Sequence, residues 1–325
     1  MIATPMAQIK IAGREVFGKL ERDHPTGSHK DRLAQFITSK WQNPRGQERH
    51  AWVSSSGNFA RAIAHYSKNK HTKLSVVTDV LSPASILESL KEFEHVNLHV
   101  VNDPDHSGSH LHARKRLIRD GMQKDSGSIF VDQYDDLSLP NAYARTLGPE
   151  LLTQTDGRIA AVFVAVGTGA TVNGLLRFRD RNGLNFPIFG VDAQGSALLR
   201  SPKTSERRLL SGYGNGRLTG IMADCRERLD FCVFVHDIEA VAFCSAMRSG
   251  GLWLGASSGA VAAAAQKVLK YRSSLLARPG RIVLLMPDKG EYYDSTVFNA
   301  EWLAKNLLSN PLNQGVRYEE PEIFV

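Results

Sequence analysis

The sequence predicts an α/β fold of parallel sheets covered by helices on both faces. Two observations carry that expectation. Short β-branched runs alternate with helical patterns along most of the chain, and several runs are apolar throughout rather than at every second residue. A strand that is apolar throughout suits a parallel sheet, whose two faces are both buried. At 325 residues there is enough chain for two medium domains or one large one.

The elements follow in order. Glu15–Leu20 reads as a strand, and Leu33–Ile37 opens a helix. Ala51–Ser54 is a strand with a helix over Asn58–Lys68 behind it, and Leu74–Thr78 precedes a helix over Pro83–Phe93. Asn97–Val101 is followed by a basic helix, Ser109–Gln123, and Ser128–Asp132 by another helix. Ile159–Val166 is a long buried strand. Pro187–Val191, Phe231–Val235 and Arg281–Leu285 complete the series, each expected to have a helix behind it. Ser201–Leu218 is rich in Gly, Ser and Arg and lacks periodicity, so a long loop near a functional site is expected there.

Composition narrows the function. The chain is 42% hydrophobic and 22% charged, ordinary for a soluble globular protein. No apolar run approaches the roughly 20 residues that cross a bilayer. Met1–Lys10 lacks the apolar core of a signal peptide. Cys225, Cys232 and Cys244 show no CxxC spacing, and so sparse a set points to a reducing cytoplasm. The formal charge of +7 comes from scattered residues. The densest cluster, Arg114-Lys115-Arg116 with Arg119, falls in a helical pattern and reads as a solvated face rather than a nucleic-acid surface. A basic surface favours small anionic substrates.

Four loops stand out. In His24-Pro25-Thr26-Gly27-Ser28-His29-Lys30-Asp31-Arg32 a lysine sits where a turn becomes a helix N-terminus. The helix dipole disfavours an ammonium ion there, which makes Lys30 a usable amine nucleophile towards an aldehyde cofactor. The bland alternative is a capping turn with Ser28 as N-cap and Lys30 solvated. Ser54-Ser55-Ser56-Gly57-Asn58 offers hydroxyls and backbone N–H groups to a carboxylate, and its alternative is a serine-rich cap. Gly167-Thr168-Gly169-Ala170-Thr171 follows the long strand and can close backbone N–H groups around a phosphate. A dinucleotide-binding turn is its rival, but Val172 occupies the position of the third glycine. Gly255-Ala256-Ser257-Ser258-Gly259-Ala260, at a strand-to-helix junction, opens an alanine-rich helix, and tight helix packing is its alternative. His106, His110 and His112 have no supporting carboxylate or cysteine pattern, so no metal is expected.

Taken together, these residues resemble the fold type II pyridoxal-phosphate enzymes, in the branch of cysteine synthase and cystathionine β-synthase. The resemblance spans nearly the whole chain, from Thr4-Pro5-Met6 to Trp302. It implies two open, twisted, mostly parallel sheets, as in the tryptophan synthase β-like fold. It implies a small domain over residues 37–136, a large domain over 1–36 and 137–325, and an active site in the cleft between them. By the same resemblance Lys30 carries the Schiff base to pyridoxal 5'-phosphate, Ser55, Ser56, Gly57 and Asn58 bind the substrate carboxylate, and Asn58 touches the cofactor phenolate. Gly167, Thr168, Gly169, Ala170 and Thr171 look like the phosphate cradle, and Ser257 the partner of the pyridine nitrogen. Asp132-Gln133-Tyr134 matches a place where a glutamine, here Gln133, lies near the substrate. Pro287-Asp288-Lys289-Gly290-Glu291-Tyr292-Tyr293 resembles the branch's GDRY segment. Homodimers are usual in this fold.

Several residues depart from the pattern. Phe59 stands where cysteine synthases commonly have a small hydroxyl residue, and Ala60 replaces a glycine. Phe59 is expected to narrow the pocket beside the carboxylate. Pro104-Asp105-His106 with Gly108, and Val191-Asp192-Ala193-Gln194-Gly195-Ser196, look closer to the siderophore diaminopropionate-precursor synthases, which use O-phosphoserine. Gly212 and Arg217, in Gly212-Tyr213-Gly214-Asn215-Gly216-Arg217, are candidates for meeting substrate, with Arg217 receiving an anionic leaving group or second substrate. A surface arginine is the equal alternative.

The implied reaction is β-replacement on an activated L-serine, O-acetyl- or O-phosphoserine, through an aminoacrylate, with a thiol or amine nucleophile. A serine or threonine dehydratase or lyase on the same fold is the rival enzyme. A cofactor-free binding protein and a nicotinamide-dependent oxidoreductase are further rivals.

Overall fold

The computed structural model describes residues 3–41, 49–80, 82–106, 110–200, 208–309 and 319–324. In chain order the elements begin with β1 (Met6–Ile11), β2 (Arg14–Leu20), α1 (Lys30–Thr38), β3 (Arg49–Ser54), α2 (Asn58–Ser67), β4 (Thr72–Asp79) and α3 (Ala84–Lys91). Next come β5 (Val96–Val101), α4 (His110–Lys124), β6 (Ile129–Val131), α5 (Pro140–Arg145), α6 (Leu147–Gln154), β7 (Ile159–Ala165) and α7 (Ala170–Arg181). The last are β8 (Ile188–Ala193), α8 (Gly220–Ala223), β9 (Phe231–Val235), α9 (Asp237–Ser249), α10 (Ala256–Tyr271), β10 (Arg281–Met286), α11 (Ala300–Trp302) and β11 (Ile323–Phe324). They form two compact units, Pro25–Gln133 and Met1–His24 together with Tyr134–Val325.

The first unit is built on a parallel sheet of order β5-β4-β3-β6. Val76 and Val77 of β4 point to opposite faces, and both are fully buried, as an apolar run between two helical layers requires. Helix α4 lies over the sheet, its Ile118 packed against Trp52 and Val77. A side chain at Gly121 would place its Cβ 2.4 Å from the Trp52 indole, so only glycine lets that helix approach. Near α4's C-terminus, Asp125 Oδ2 pairs with His50 Nδ1 at 2.7 Å, and His50 Nε2 meets Ser75 Oγ at 2.9 Å.

The second unit holds a seven-stranded sheet of order β11-β1-β2-β10-β7-β8-β9. Strands β1, β2 and β11 pair antiparallel, and the rest are parallel. The β1–β2 hairpin turns at Ala12 and Gly13, with φ of 47° and 74°, the paired positive values of a turn matched to strand twist. Phe163, Phe189 and Phe231 are register partners on β7, β8 and β9. Their rings stack with centroids 4.4 and 4.7 Å apart. Alanine-rich α10 packs against α9 and the sheet. At Gly259 a Cβ would fall 2.1 Å from the Ala240 carbonyl oxygen, which explains the glycine in that helix.

Two expectations change. No full helix lies behind β8: among the described residues the stretch up to β9 holds only α8, four residues long, and a short 3-10 turn at Arg226–Arg228. Gly195, Gly212 and Gly214 all have positive φ there, and the stretch has no helical apolar period to bury. The Gly255 loop is also not a strand-to-helix junction. It joins α9 to α10, and only a one-residue bridge, Leu254 to Lys289, ties it to the segment after β10. Residues 201–207 of the expected loop, and Gly108 and Ser109, lie outside the described residues.

Candidate active site

In the first unit, Lys30 is the first residue of α1 and is partly buried. Gly27, with φ of 77°, turns the chain ahead of it. The helix N-cap is His29, which makes no side-chain cap, but the Ser28 hydroxyl accepts the Lys30 backbone N–H at 3.3 Å. Asp31 is fully buried beneath this turn. Its carboxylate accepts the Thr26 N–H at 2.9 Å, the Thr26 hydroxyl, and the Tyr66 hydroxyl at 3.4 Å. Burial, and then the charge of Asp31, push the Tyr66 phenol well above its ordinary value. Asp31 therefore ties the loop before Lys30 to its helix and fixes where the lysine starts.

The serine loop leaves β3 at Ser54 and enters α2 at Asn58. Ser55 Oγ accepts the N–H groups of Gly57 at 3.3 Å and Ala60 at 3.2 Å. Those bonds use the oxygen's lone pairs and leave its proton as a donor for a carboxylate. Gln133 is 5% exposed and donates from Nε2 to the Ser54 carbonyl at 2.9 Å, so it braces this loop. Ser56, Gly57 and Asn58 are partly exposed, whereas Phe59 is 1% exposed and packed inside the unit.

In the second unit, Gly167–Gly169 connect β7 to α7. Gly169 is the N-cap, with φ of 93°, and a Cβ there would stand 3.0 Å from the Met222 nitrogen. Thr219 stitches this loop to α8: its hydroxyl donates to the Thr168 carbonyl at 2.9 Å and accepts the Met222 N–H at 3.1 Å. The N–H groups of α7's first turn have no intrahelical acceptor, and the helix dipole is positive there. The loop carries two threonine hydroxyls and no acidic residue. That donor set fits a phosphate dianion.

Gly212 lies against the same loop. A Cβ on Gly167 would touch the Gly212 carbonyl oxygen at 3.4 Å, and the Gly214 N–H donates to Val166 O at 2.7 Å. A Cβ on Gly212 itself would be 3.4 Å from Tyr293 Oη and 3.6 Å from Ser257 Oγ. Four segments thus converge: the end of β7, the Gly212 loop, the start of α10 and the segment after β10. Tyr213 holds the Gly212 loop in place, donating from its buried hydroxyl to Asp237 at 3.2 Å, while Asp237 accepts the Leu209 N–H at 2.7 Å. Burial raises the Asp237 carboxyl. Asp192, at the end of β8, is pushed up to about 6 by burial, against hydrogen bonds from Ser196, Ala193 and Leu199.

Arg217 turns elsewhere. Its guanidinium pairs with Asp135 at 3.0 Å, both partners part-exposed, and lies 5.6 Å from the Tyr134 ring centroid. Asp135 also accepts the Gly220 N–H at 2.8 Å. Sequence reasoning missed Asp31, Thr219, Tyr213 and Asp135 as supports. A buried aspartate beside the lysine was the one local signal; the others act across long separations.

The residues of these two units have the chemistry of an aldehyde-binding lysine and a phosphate cradle, and the comparisons agree. A family described as "Pyridoxal-phosphate dependent enzyme" matches residues 2–288. The chain belongs to that family. It is 32% identical over 309 residues to an N-(2-amino-2-carboxyethyl)-L-glutamate synthase of Cupriavidus metallidurans, covering 93% of this chain and 89% of the relative. It is 31% identical to the enzyme of the same name from Ralstonia nicotianae, with the same coverage. Its fold is similar to the crystal structure of O-ureido-L-serine synthase, at a TM-score of 0.76 and 21% identity over 98% of this chain and 94% of that one. A lysine-to-alanine variant of that enzyme, bound to O-ureido-L-serine, gives 0.77 and 20% over 94% and 96%. The chain is thus a pyridoxal-phosphate enzyme of the cysteine synthase-like kind, and two mostly parallel sheets are its fold.

Proposed function

We propose that the protein catalyses β-replacement on an activated L-serine, O-phosphoserine or O-acetylserine, with an amine as the second substrate. The supporting observation is the match to two synthases across about nine-tenths of this chain and theirs. The product in their name joins a three-carbon amino-acid unit, through its β-carbon, to the nitrogen of glutamate. An amine nucleophile is therefore favoured over sulfide, and an amino dicarboxylate is the first to try.

The bound cofactor supplies a conjugated, electron-withdrawing ring that stabilises negative charge at the substrate Cα. The rest falls to side chains. Lys30 holds the cofactor through its amine and then moves the proton at Cα. Asn58, at the start of α2, donates to the cofactor phenolate. The Ser55 hydroxyl and the backbone N–H groups of Ser56 and Asn58, with Gly57 between them, hold the substrate carboxylate at the N-terminus of α2. Gly167–Thr171 hold the phosphate, and Ser257 offers a neutral hydroxyl to the ring nitrogen. Buried Phe59 shapes the pocket from behind the loop rather than by standing in it. A cytoplasmic homodimer is the assembly we infer; the three cysteines, all free, agree with that compartment.

The test is direct. Enzyme with O-phosphoserine, O-acetylserine or serine is offered L-glutamate, other amines or sulfide, and products are read by mass spectrometry. An adduct of glutamate supports the reading. Pyruvate and ammonia alone would make it a dehydratase, and cysteine as sole product would make it a cysteine synthase.

A further inference from the structure

The segment that follows Gly212 grips two carbonyls of the phosphate loop. Val166 O accepts the Gly214 N–H at 2.7 Å, and Thr168 O accepts the Thr219 hydroxyl at 2.9 Å. Each held carbonyl belongs to a peptide unit that also carries an N–H of the loop. Val166 O shares its plane with the Gly167 N–H, and Thr168 O shares its plane with the Gly169 N–H. Among the described residues no peptide bond is cis. In a planar trans peptide the carbonyl and the N–H point in opposite directions. A held carbonyl therefore fixes the aim of the N–H across its plane.

Both grips are braced. Thr219 is fully buried, and its oxygen accepts the Met222 N–H at 3.1 Å, which leaves its one proton for Thr168. Gly214 follows Tyr213, whose buried hydroxyl donates to Asp237 Oδ1 at 3.2 Å. Asp237 Oδ2 also accepts the N–H groups of Leu209 at 2.7 Å and Leu210 at 3.4 Å. Beyond Gly214, the Asn215 N–H donates to Ser196 Oγ at 3.1 Å, and Asn215 O accepts the Ala197 N–H at 2.8 Å. Gly214 itself has φ of 73°, and a Cβ there would fall 2.9 Å from the Ala193 Cβ.

We propose that Thr219 and Tyr213 are positioning residues that aim the Gly167 and Gly169 N–H groups at the cofactor phosphate. Thr219 acts on the Thr168–Gly169 peptide, and Tyr213 acts through Gly214 on the Val166–Gly167 peptide. Thr219 is also the N-cap of α8. Losing a cap lowers stability. Losing the aim lowers the phosphate's own share of binding, and the two effects are separable.

This inference rests on the reading that Gly167–Thr171 hold the phosphate. It is tested on the full chain, its cofactor removed and then re-bound. Pyridoxal 5'-phosphate is compared with pyridoxal, which lacks the phosphate. The ratio of their affinities, from fluorescence titration, isolates what the phosphate contributes. Thermal melting reports stability, and 31P NMR of the holoenzyme reports the phosphate's surroundings. Thr219→Val keeps the side chain's shape and removes its hydroxyl. It should lower the ratio about tenfold or more, because a misaimed N–H loses a bond to a charged group. Pyridoxal affinity should change by less than about threefold, and the 31P signal should move. Thr219→Ser should restore the ratio and the signal. Tyr213→Phe should lower the ratio about 3- to 10-fold, acting one link further away. Asn299→Ala removes the N-cap of α11, whose side chain accepts the Trp302 N–H at 2.8 Å. It should lower the melting temperature and leave the ratio unchanged. Equal losses for both ligands in Thr219→Val would overturn the proposal and leave Thr219 a helix cap. So would a wild-type ratio in Thr219→Val while Gly169→Ala lowers it. A wild-type ratio in Gly169→Ala would instead remove the phosphate from this loop, and the underlying reading with it. If Thr219→Val does not fold, Tyr213→Phe decides, and a wild-type ratio there overturns the proposal.

Discussion

Gly169→Ala is the most discriminating test of the phosphate cradle. At φ of 93° an alanine is strained wherever it sits, and the left-handed region costs an L-residue about 1–2 kcal/mol. Gly157, with φ of 71° and nothing within 4 Å of its Cβ position, carries that strain alone. Gly157→Ala is therefore the control. Gly169 adds contacts of 3.0 Å to the Met222 nitrogen and 3.1 Å to its sulfur. The nitrogen cannot retreat cheaply, because it is bonded to Thr219 Oγ1 at 3.1 Å. The loop must shift instead, and the N–H groups aimed at the phosphate shift with it. One displaced charge-assisted bond is worth about 1.5–3 kcal/mol, or roughly 10- to 150-fold in affinity. Both variants should lose comparable thermal stability without cofactor. Only Gly169→Ala should weaken pyridoxal phosphate binding, by at least about tenfold, measured by fluorescence titration of the apoprotein. Gly169→Asp should be weaker still, by adding a like charge. Equal cofactor affinity in Gly169→Ala and Gly157→Ala would place the phosphate elsewhere.

Three further outcomes are expected. Lys30→Ala should lose the cofactor mass that borohydride reduction fixes to the wild-type chain and show no turnover; dialysed variant working at wild-type rate would remove Lys30 from the chemistry. Arg217→Ala should lose about 10- to 150-fold in kcat/KM with an anionic substrate if its guanidinium leaves Asp135 to meet it; Asp135→Asn should then raise kcat/KM, whereas equal small losses with anionic and neutral substrates would leave Arg217 a part-exposed partner of Asp135 worth under about 1 kcal/mol. Burial lowers the pKa of His95 and of His99 from 6.5, so the folded first unit binds fewer protons than its unfolded chain and loses stability as pH falls below 6.5 through the lowered values. Asp192, raised from 3.8 to about 6, has the opposite sign, and its contribution falls as pH rises through that window. Hydrogen-exchange protection around His95 and His99, taken relative to the intrinsic rate at each pH, should thus fall between about pH 7 and pH 5. Asp192→Asn should gain on the wild type as pH rises through about 6; a pH-independent difference would contradict that burial effect.

Much of this protein was legible in one dimension. The strands announced themselves as apolar or β-branched runs, because a backbone with period 2 between two helical layers must be apolar throughout. Even β1, which the sequence reading passed over, carries a signal: Ile9 and Ile11 alternate with polar residues ahead of Ala12-Gly13. Lys30, the serine loop and the glycine loop stand out as candidates for a related reason. A helix start needs small residues, hydroxyls and positive φ within a few positions of one another, and those demands are local. The family followed from the order of these loops.

Tertiary structure decided what joins residues far apart in the chain. Nothing local to β10 says that it lies between β2 and β7, since that order depends on how whole helical layers pack. Nothing near Gly212 says that its open side faces Ser257 and Tyr293. Arg217 looked like an anion receptor in sequence, and its nearest charge proved to be Asp135, 82 residues away. The helix expected after β8 shrank to α8 because loop hydrogen bonds to Asp192 and Asp237 satisfy backbone groups that a helix would have paired internally. Local periodicity and capping depend on neighbours within about one helical turn. The brace of Gln133 and the bolt of Asp31 depend on which polar groups share a buried volume, and only the packed chain brings those together.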